Sequence, residues 1–373
     1  MVFADSIPHR NILTSSLAIC DQARRTVFYP KTDVAQLGPL CAQLRQTREQ
    51  DLQRYQPIVN QVCQRRWSDS FQRCVPLSGT GTFRLLYRID RAGQPPLIMR
   101  LNRIKEHDIA WEFLIESWIY AVLADRNIPA PLIIDVDVSR RTCVTDYQIL
   151  TCIEGTTLKS YEDPDTQYMR PELLHAVGAY VARVHCIEIE KYGPLSVQSV
   201  ISDDPRPYGV HDSWRDYILL LLQQHAQVCL HIGAITRNEL LTIEKIFAQH
   251  THVFDDVPSV LLHGDVGNQN FISYDGLTIA GLVDWEDCMS GDPVFDIAFW
   301  GTFFRDHMLN DFLDGYRTVR ALPADFTLRY WLYYLRIALS KTVHRFYFGY
   351  TDAPGRPPAS LRIQKALEHL RSF

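Results

Sequence analysis

The densest cluster of polar residues runs from His263 to Asn270 and reads HGDVGNQN. It follows the apolar run 260–262 and precedes another short apolar pair. Fourteen residues after Asn270, a second apolar strand-like run ends at Asp284. Polar loops at the ends of strands often carry functional residues. These two points of the chain are therefore the first candidates for chemistry.

Asp265, Asn270 and Asp284 offer only oxygen atoms as ligands. A small number of oxygen ligands suits Mg²⁺, which keeps waters and substrate phosphates in its other positions, whereas softer metals favour Cys or His. Asp265 is then free to accept a proton from a hydroxyl group. The pattern predicts phosphoryl transfer, because the attacking oxygen needs a base and the phosphates need cations. Asp, Asn and Gly are also common turn formers, and that is the structural alternative.

The wider motif resembles the aminoglycoside phosphotransferase and choline-kinase-like family. The resemblance rests on His263-Gly264-Asp265 with Asn270, Asp284-Trp285-Glu286, Gly291-Asp292-Pro293 and Asp296. It extends from the turn at Ser78 to the helix after Pro293. It implies a protein-kinase-like fold, ATP as the phosphoryl donor, Asp265 as the catalytic base, and Asn270 and Asp284 as Mg²⁺ ligands.

Three further residues of the motif are expected to be structural. The resemblance implies that His263 supports the loop without reacting. Asp292 precedes a proline at the start of a predicted helix, so we expect it to cap that helix. Asp296 lies one turn further on, and we expect it to be a buried anchor for the loop.

A turn with two glycines, Ser78-Gly79-Thr80-Gly81-Thr82, lies between two predicted strands. Glycine lacks a Cβ and exposes backbone N–H groups, so this turn is a candidate for contact with nucleotide phosphates. A tight hairpin turn explains the same residues equally well. The spacing of a third glycine is occupied by Arg84.

Arg100 ends the apolar run 97–99 within the short predicted strand 97–101. In the kinase-like arrangement, a cation at this position holds the nucleotide phosphates and pairs with a carboxylate on the following helix. We expect Glu116 to be that carboxylate, with Glu112 as the alternative one turn earlier. A surface ion pair of little energetic weight is the structural alternative. Residues 151–154 resemble the hinge whose backbone binds adenine, which makes Thr151 and Ile153 candidates.

The surrounding elements predict an α+β chain of two lobes. The resemblance implies that these lobes form a protein-kinase-like fold. Residues 1–65 form an N-terminal arm and helical extension, in which a helix over 36–67 is broken or kinked at Pro57. Residues 66–154 alternate strands and turns around one helix, and form a small nucleotide-binding N-lobe with an antiparallel sheet. Residues 155–373 form a larger, mainly helical C-lobe with the catalytic loop and the acceptor site.

Composition excludes several functions for this chain of 373 residues. The net charge of −5 argues against a dedicated nucleic-acid binder. No apolar run is long enough to span a bilayer, and residues 1–10 do not resemble a signal peptide. The nine cysteines include no CxxC pair, which favours reduced thiols. We therefore expect a cytoplasmic protein with no membrane or nucleic-acid partner.

The acceptor is predicted from charge. Acidic residues are concentrated after the second motif: Asp284, Glu286, Asp287, Asp292, Asp296, Asp306, Asp311 and Asp314. An excess of negative charge favours a cationic substrate, although half of these residues could serve the metal, cap a helix or face solvent. Aromatic residues near the C-terminus either line an acceptor pocket or belong to the core: Tyr330, Trp331, Tyr333, Tyr334, Phe346, Tyr347, Phe348 and Tyr350.

The sequence thus favours an ATP-dependent O-phosphotransferase acting on a hydroxyl of a small cationic molecule, either aminoglycoside-like or an amino alcohol. Two alternatives remain open. One is a catalytically inactive, kinase-like module that binds nucleotide and acts through partners. The other is a kinase with a neutral small-molecule or protein acceptor.

Overall fold

The computed structural model describes residues 21–33, 37–78, 83–103, 110–163, 168–200, 205–303, 306–349 and 358–373. These residues form two compact units. The sheet unit contains Pro39–Glu154 and Val197–Arg206, and the helical unit contains Cys20–Gly38, Gly155–Ser196 and Pro207–Phe373. A five-stranded sheet with two long helices makes up most of the first unit, and helices predominate in the second. The α+β class predicted from the sequence is confirmed.

The described α-helices follow in chain order. They are α1 (Pro30–Asp33), α2 (Leu37–Arg66), α3 (Ala110–Asp125), α4 (Pro171–Val184), α5 (Val197–Val200), α6 (Trp214–Leu219), α7 (Leu222–His231), α8 (Arg237–His250), α9 (Val294–Gly301), α10 (Leu309–Arg317), α11 (Phe326–Tyr347) and α12 (Ala359–Leu370).

The described strands follow in the same way. They are β1 (Phe71–Pro76), β2 (Arg84–Arg91), β3 (Gln94–Asn102), β4 (Ile133–Asp137), β5 (Tyr147–Thr151), β6 (Thr156–Thr157), β7 (Tyr192–Leu195), β8 (Gly209–His211), β9 (Val260–Leu262), β10 (Phe271–Ser273), β11 (Ile279–Leu282) and β12 (Met289–Gly291).

The sheet unit is built on an antiparallel sheet with strand order β1-β2-β3-β5-β4. Alternate residues of β2 and β3, such as Leu85 and Leu101, are buried in the core. The register pairs Arg84 with Asn102 and Leu86 with Arg100. Because side chains alternate between the faces of a strand, Arg84 and Arg100 lie together on the face opposite that core.

Helix α2 packs against the core face of this sheet. Its residues Leu52, Tyr55 and Val59 belong to the same buried cluster as the strand residues. The Tyr87 hydroxyl donates a 2.7 Å hydrogen bond to the carbonyl of Leu52. The helix continues through Pro57, so the chain is not broken there, and the alternative of a kink at the proline stays a prediction. The apolar contacts on both sides of the proline stabilise the continuous helix against the lost hydrogen bond.

Two short sheets in the helical unit lead to the polar cluster of the sequence. One has the order β11-β10-β6 and the other β8-β7-β12-β9. The antiparallel register of β10 with β11 pairs Phe271 with Leu282. The residues just outside this pair, before β10 and after β11, therefore lie at the same end of the hairpin.

Helices α4 and α10 approach each other closely through glycines. A Cβ built on Gly178 would lie 1.9 Å from the carbonyl oxygen of Phe312, and one on Gly315 would lie 1.9 Å from that of His175. Side chains larger than hydrogen cannot occupy these positions at this spacing. Both helices lead to residues that support the polar cluster, as described below.

The segment before α2 is held on the helical unit by a buried charged network. Asp33 accepts hydrogen bonds from the backbone N–H groups of Phe28 and Tyr29, at 2.7 and 2.8 Å, and lies 2.6 Å from His225 Nε2. Arg336 donates to His225 Nδ1 across 3.0 Å. Burial lowers the pKa of His225, Asp33 opposes this shift, and the adjacent Arg336 reinforces it. Because Nδ1 accepts from Arg336, the ring proton lies on Nε2 and faces Asp33.

The cysteines within the described residues are all free thiols. Most are buried, and Cys186 is exposed. No helix among the described residues is both long enough and apolar enough to cross a membrane.

Replacing Gly178 by alanine should destabilise the helical unit. The added methyl group meets a backbone oxygen that cannot move independently of α10, so we expect a loss of about 3 kcal/mol of unfolding free energy. Urea denaturation followed by circular dichroism measures this loss. The control variant Glu172→Ala, at an exposed position of the same helix, should change stability by less than about 0.5 kcal/mol. Equal midpoints for the two variants would contradict the close packing of α4 against α10.

Candidate active site

The loop after β9 requires glycine at its second position. Gly264 has a φ of 78°, a conformation that L side chains rarely adopt. A Cβ at Gly264 would also lie 2.0 Å from the carbonyl oxygen of Asp287. The glycine therefore allows the loop to pass against the chain that follows Asp284.

His263 connects this loop to the second motif. Its Nδ1 accepts a hydrogen bond from the backbone N–H of Asp265 at 3.3 Å, and its Nε2 donates to the carbonyl of Val283 at 3.0 Å. Its ring lies 4.6 Å from that of Trp285. Both ring nitrogens are thus used to position neighbours of Asp265 and Asp284. The supporting role expected for His263 is confirmed.

Asp296 anchors the same loop from the buried interior. Its carboxylate accepts hydrogen bonds from the backbone N–H groups of His263 at 2.7 Å and Gly264 at 3.0 Å. His185 Nε2 lies 3.3 Å from the same carboxylate, and His185 Nδ1 lies 3.0 Å from the Tyr316 hydroxyl. Burial raises the pKa of Tyr316 well above its usual value, so its hydroxyl keeps its proton and donates to His185. The anchor role predicted for Asp296 is confirmed.

Asp265, Asn270 and Asp284 are brought together by the loop and the β10–β11 hairpin. Asn270 Nδ2 donates to the Asp265 carbonyl at 3.0 Å and lies 3.4 Å from the carboxylate oxygen Oδ2 of Asp265. The backbone N–H of Val283 donates to the Asn270 carbonyl at 2.9 Å, which brings Asp284 to the same end of the hairpin. Asp265 and Asp284 are half-buried, and Asn270 is buried.

Asp284 has an unusual backbone conformation. Its φ of 70° and ψ of 60° lie in the left-handed region. This conformation costs free energy for any residue other than glycine, and residues that adopt it are common at functional sites. The turn directs the chain from β11 into the short 3₁₀ helix Trp285–Asp287, which passes the glycine of the first motif.

The donor atoms suit a hard divalent cation. Because Asn270 donates through Nδ2, its Oδ1 and the carboxylate of Asp284 are the two groups that could act as protein ligands. A low count of oxygen ligands, completed by water and phosphate, is the usual way in which Mg²⁺ is bound with nucleotides. Among the described residues, no group of three or more His, Cys, Asp or Glu side chains is arranged to hold a metal ion.

A second group of charged residues lies in the sheet unit. Arg100 forms a two-pronged ion pair with Glu116, whose side chain is fully buried, and its Nη1 lies 3.2 Å from Gln148 Oε1. Arg84 contacts Glu116 at 3.0 Å and Glu112 at 2.5 Å. Arg100 therefore pairs with Glu116, as expected from the sequence. Glu112, the alternative partner, pairs with Arg84.

Arg84 was not among the residues predicted to bind or pair. The only feature of the sequence that could have indicated a role for Arg84 was its position two residues after the glycine-containing turn. The β2–β3 register, which puts it diagonally opposite Arg100, depends on strand pairing that the local sequence does not specify. Both guanidinium groups also lie over the ring of Phe113, at 5.0 and 5.8 Å from its centroid.

The remaining nucleotide-binding candidates belong to the predicted turn at Ser78 and to the predicted hinge at 151–154. Ser78 is exposed, and Gly79, Thr80 and Gly81 lie outside the described residues. Thr151 ends β5, and its Oγ1 accepts a 2.9 Å hydrogen bond from the backbone of Leu132. Ile153 follows in an extended segment and is half-buried. Their roles toward nucleotide stay predictions.

Several acidic residues after Asp284 have structural partners. Asp292 accepts from the backbone N–H of Val294 at 3.0 Å, from Tyr333 at 2.8 Å and from Arg329 at 3.0 Å, so its predicted capping role is confirmed. Burial raises the pKa of Asp292, and Arg329 opposes that shift.

Three further acidic residues in this stretch of the sequence also have partners. Asp311 accepts from Tyr168 at 3.1 Å, and Asp314 pairs with Arg317 on the surface. Asp287 accepts a 3.1 Å hydrogen bond from the hydroxyl of Tyr29. The side chain of Asp306 lies outside the described part of the structure.

The C-terminal aromatic residues mostly belong to the core. Those that are buried are Tyr330, Trp331, Tyr333, Tyr334 and Phe348. Phe346 and Tyr347 are more than 40 % exposed, and Tyr350 lies outside the described residues. Of the two explanations for the buried residues, packing is therefore the correct one.

The sequence model of the phosphotransferase enzyme family (APH) matches residues 73–328 of the chain. The chain is similar to hygromycin-B 4-O-kinase of Escherichia coli, with 23 % identity over 197 residues. That alignment covers 50 % of this chain and 52 % of the relative, so the chain spans about half the length of the curated relative it matches.

Similarity to solved structures covers a larger share of the chain than the alignment with the curated relative does. Aminoglycoside phosphotransferase APH(4)-Ia matches with a TM-score of 0.58 and 19 % identity, over 84 % of this chain and 98 % of that one. A variant of that protein in a ternary complex with ADP and hygromycin B also has a TM-score of 0.58.

A third solved structure that resembles the chain is described as a different kinase. The putative fructosamine-3-kinase of Thermobifida fusca matches with a TM-score of 0.56 and 18 % identity, over 84 % of this chain and 99 % of that one. At these identities the likeness concerns the fold alone. The protein-kinase-like fold expected from the sequence is confirmed.

Asp296→Asn should loosen the loop that carries Asp265. The amide offers one acceptor oxygen where the carboxylate serves two backbone donors and His185, and its NH₂ group would face one of those donors. We expect a loss of about 3 kcal/mol in unfolding free energy, measured by chemical denaturation. Asp314→Asn, at an exposed aspartate, serves as the control. An Asp296 variant as stable as this control would exclude the anchor role.

Proposed function

The chain belongs to the phosphotransferase enzyme family, and from that membership we propose that it transfers the γ-phosphoryl group of ATP to a hydroxyl group of a small cationic molecule. The observation that carries the proposal is the contact of Asn270 with Asp265 at one end of a hairpin whose other strand leads directly into Asp284. Phosphoryl transfer needs a proton acceptor beside the attacking oxygen and a cation beside the phosphates. These three residues supply both from one short stretch of chain.

Asp265 acts as the base in this proposal. Its carboxylate accepts the proton of the acceptor hydroxyl while that oxygen bonds to the γ-phosphorus, and the bond between the γ-phosphorus and the β,γ-bridging oxygen breaks to release ADP. The Nδ2 group of Asn270 orients the carboxylate. His263 and Asp296 fix the backbone on which Asp265 is carried.

Asn270 Oδ1 and Asp284 would hold Mg²⁺. The bound ion would neutralise negative charge on the nucleotide phosphates. In the sheet unit, Arg100 is held by Glu116 and Gln148, and it is a candidate cation for binding nucleotide phosphates. An arginine offers a planar set of donors that matches phosphate oxygens more rigidly than a lysine does.

The cationic acceptor is inferred from charge near Asp284. Glu286 and Asp287 are half-buried and lie two and three residues after Asp284, so a positively charged alcohol would be attracted to this part of the helical unit. The comparisons support an amino sugar or aminocyclitol as acceptor. The curated relative is named as a hygromycin-B 4-O-kinase, and a variant of APH(4)-Ia is seen with hygromycin B bound.

Asp265→Asn should abolish turnover and leave nucleotide binding unchanged. The amide cannot accept the hydroxyl proton but keeps the size of the side chain, so we expect the rate to fall at least about 100-fold. ADP release is measured with a panel of cationic, neutral and anionic alcohols, and nucleotide affinity by calorimetry. Asp212→Asn, an exposed aspartate of the same unit, is the control.

Three results would each overturn a part of this proposal or the whole of it. A wild-type rate in the Asp265 variant would exclude Asp265 as the base. Stimulation of ADP release by neutral or anionic alcohols alone would exclude the cationic acceptor, while leaving the phosphotransferase proposal intact. A wild-type protein that binds ATP and transfers phosphate to no alcohol in the panel would favour the alternative of an inactive nucleotide-binding module.

A further inference from the structure

The segment 28–33 precedes residues 73–328, the part of the chain that the family model matches. It nevertheless reaches the second motif of the candidate site. The hydroxyl of Tyr29 donates a 3.1 Å hydrogen bond to Oδ2 of Asp287. Asp287 ends the short 3₁₀ helix that begins directly after Asp284. A side chain from outside the matched region therefore contacts the turn that follows the predicted metal ligand.

Asp287 also lies against the loop that carries Asp265. Its carbonyl oxygen would be 2.0 Å from a Cβ on Gly264, the residue directly before Asp265. Asp287 is half-buried, so part of its surface stays accessible to solvent. A small molecule with its hydroxyl group at Asp265 can therefore bring a second, cationic group to Asp287.

The backbone around Tyr29 is fixed from two sides. Asp33 accepts hydrogen bonds from the backbone N–H groups of Phe28 and Tyr29, at 2.7 and 2.8 Å. The hydroxyl of Tyr217 donates to the carbonyl of Phe28 at 2.7 Å. Burial raises the pKa of Tyr217, so this hydroxyl keeps its proton and remains a donor. The position of Tyr29 is therefore set by its neighbours and does not depend on its own hydroxyl group.

Ring contacts dock the same segment. Phe28 is buried, its ring centroid lies 5.3 Å from that of Tyr217, and the guanidinium carbon of Arg336 lies 3.5 Å from the same ring. The ring of Tyr29 lies 6.1 Å from that of His344 on α11. Removal of the Tyr29 hydroxyl alone leaves all of these contacts in place.

We infer that Tyr29 is a positioning residue for the acceptor, which orients the carboxylate of Asp287 toward a cationic group of that molecule. This inference rests on the proposed function. A hydrogen bond from a hydroxyl to a carboxylate is charge-assisted, and it restricts the direction in which the carboxylate oxygens point. Because a phenol O–H donor carries no charge, it orients Asp287 without cancelling the negative charge that attracts the acceptor.

The test measures steady-state kinetics in the full chain. Tyr29→Phe removes the hydroxyl and keeps the ring. The substrate is the cationic alcohol of the panel above that releases ADP fastest. We expect its KM to rise at least about 5-fold, because a donor to a charged group is lost, and kcat to change by less than about 2-fold. The Kd for Mg·AMP-PNP should not change, and the melting temperature should fall by no more than about 3 °C.

Tyr192→Phe is the matched control. Tyr192 is also half-buried in the helical unit, and its hydroxyl donates to the carbonyl of Val257 at 2.9 Å. This variant loses a hydrogen bond of similar length, away from Asp287, and should keep the wild-type KM.

A double-mutant cycle tests whether Tyr29 acts through Asp287. Asp287→Asn should raise the KM for the same alcohol at least as much as Tyr29→Phe does, because it removes the negative charge. The variant with both substitutions should then have a KM within about 2-fold of that of Asp287→Asn alone. Effects that multiply in the double variant would show that the two residues act independently, and would overturn the inference.

The outcomes separate this inference from the proposed function. A wild-type KM in Tyr29→Phe, in a chain whose wild type phosphorylates the alcohol, overturns the inference alone. A wild-type chain that releases ADP with no cationic alcohol overturns the cationic acceptor, and this inference with it. If Tyr29→Phe does not fold, Asp287→Asn decides the question. A raised KM with unchanged affinity for Mg·AMP-PNP then supports the inference, and an unchanged KM contradicts it.

Discussion

The buried carboxylate of Asp296 is the constraint on which the rest of the candidate site depends. It accepts the backbone N–H groups of His263 and Gly264, which would otherwise be buried without partners at the start of the loop. Because these groups are fixed, the side chain of His263 can bridge to Val283. The loop that carries Asp265 and the strand that leads to Asp284 are thereby joined through one histidine ring.

The same constraint explains the packing further from the site. His185 follows α4 and Tyr316 lies on α10, and together they reach Asp296. The two glycines that let these helices approach closely therefore serve the geometry of the loop as well as the core. Stability and site geometry are coupled through a short path of buried groups.

The site in the helical unit could be predicted from sequence because its parts are local. Asp265 and Asn270 lie in one loop, and a hairpin with a short turn joins them to Asp284. Arg84 and Tyr29 could not be predicted in the same way. Their partners depend on strand register and on the docking of the segment 28–33, which are set by packing between distant parts of the chain. Pro57 shows the same limit, since tertiary contacts keep α2 continuous against the local preference of proline.

Two described segments that precede the matched family region pack on the two units. Residues 28–33 pack on the helical unit through Asp33, His225 and Arg336, and bring Tyr29 to Asp287. Helix α2 packs on the sheet unit. Residues 28–33 therefore lie on the unit that carries Asp265, and α2 lies on the unit that carries Arg100.

The central claim is that Asn270 and Asp284 hold a divalent cation beside the nucleotide, with Asp265 close by. Electron paramagnetic resonance of Mn²⁺, added in place of Mg²⁺ with AMP-PNP, reports this most directly by the loss of the free-ion signal on binding. The account predicts that the wild-type chain binds Mn²⁺ with the nucleotide, and that Asp284→Asn and Asn270→Ala bind it much more weakly. Equal binding of Mn²⁺ with AMP-PNP by the wild type and both variants would contradict the account.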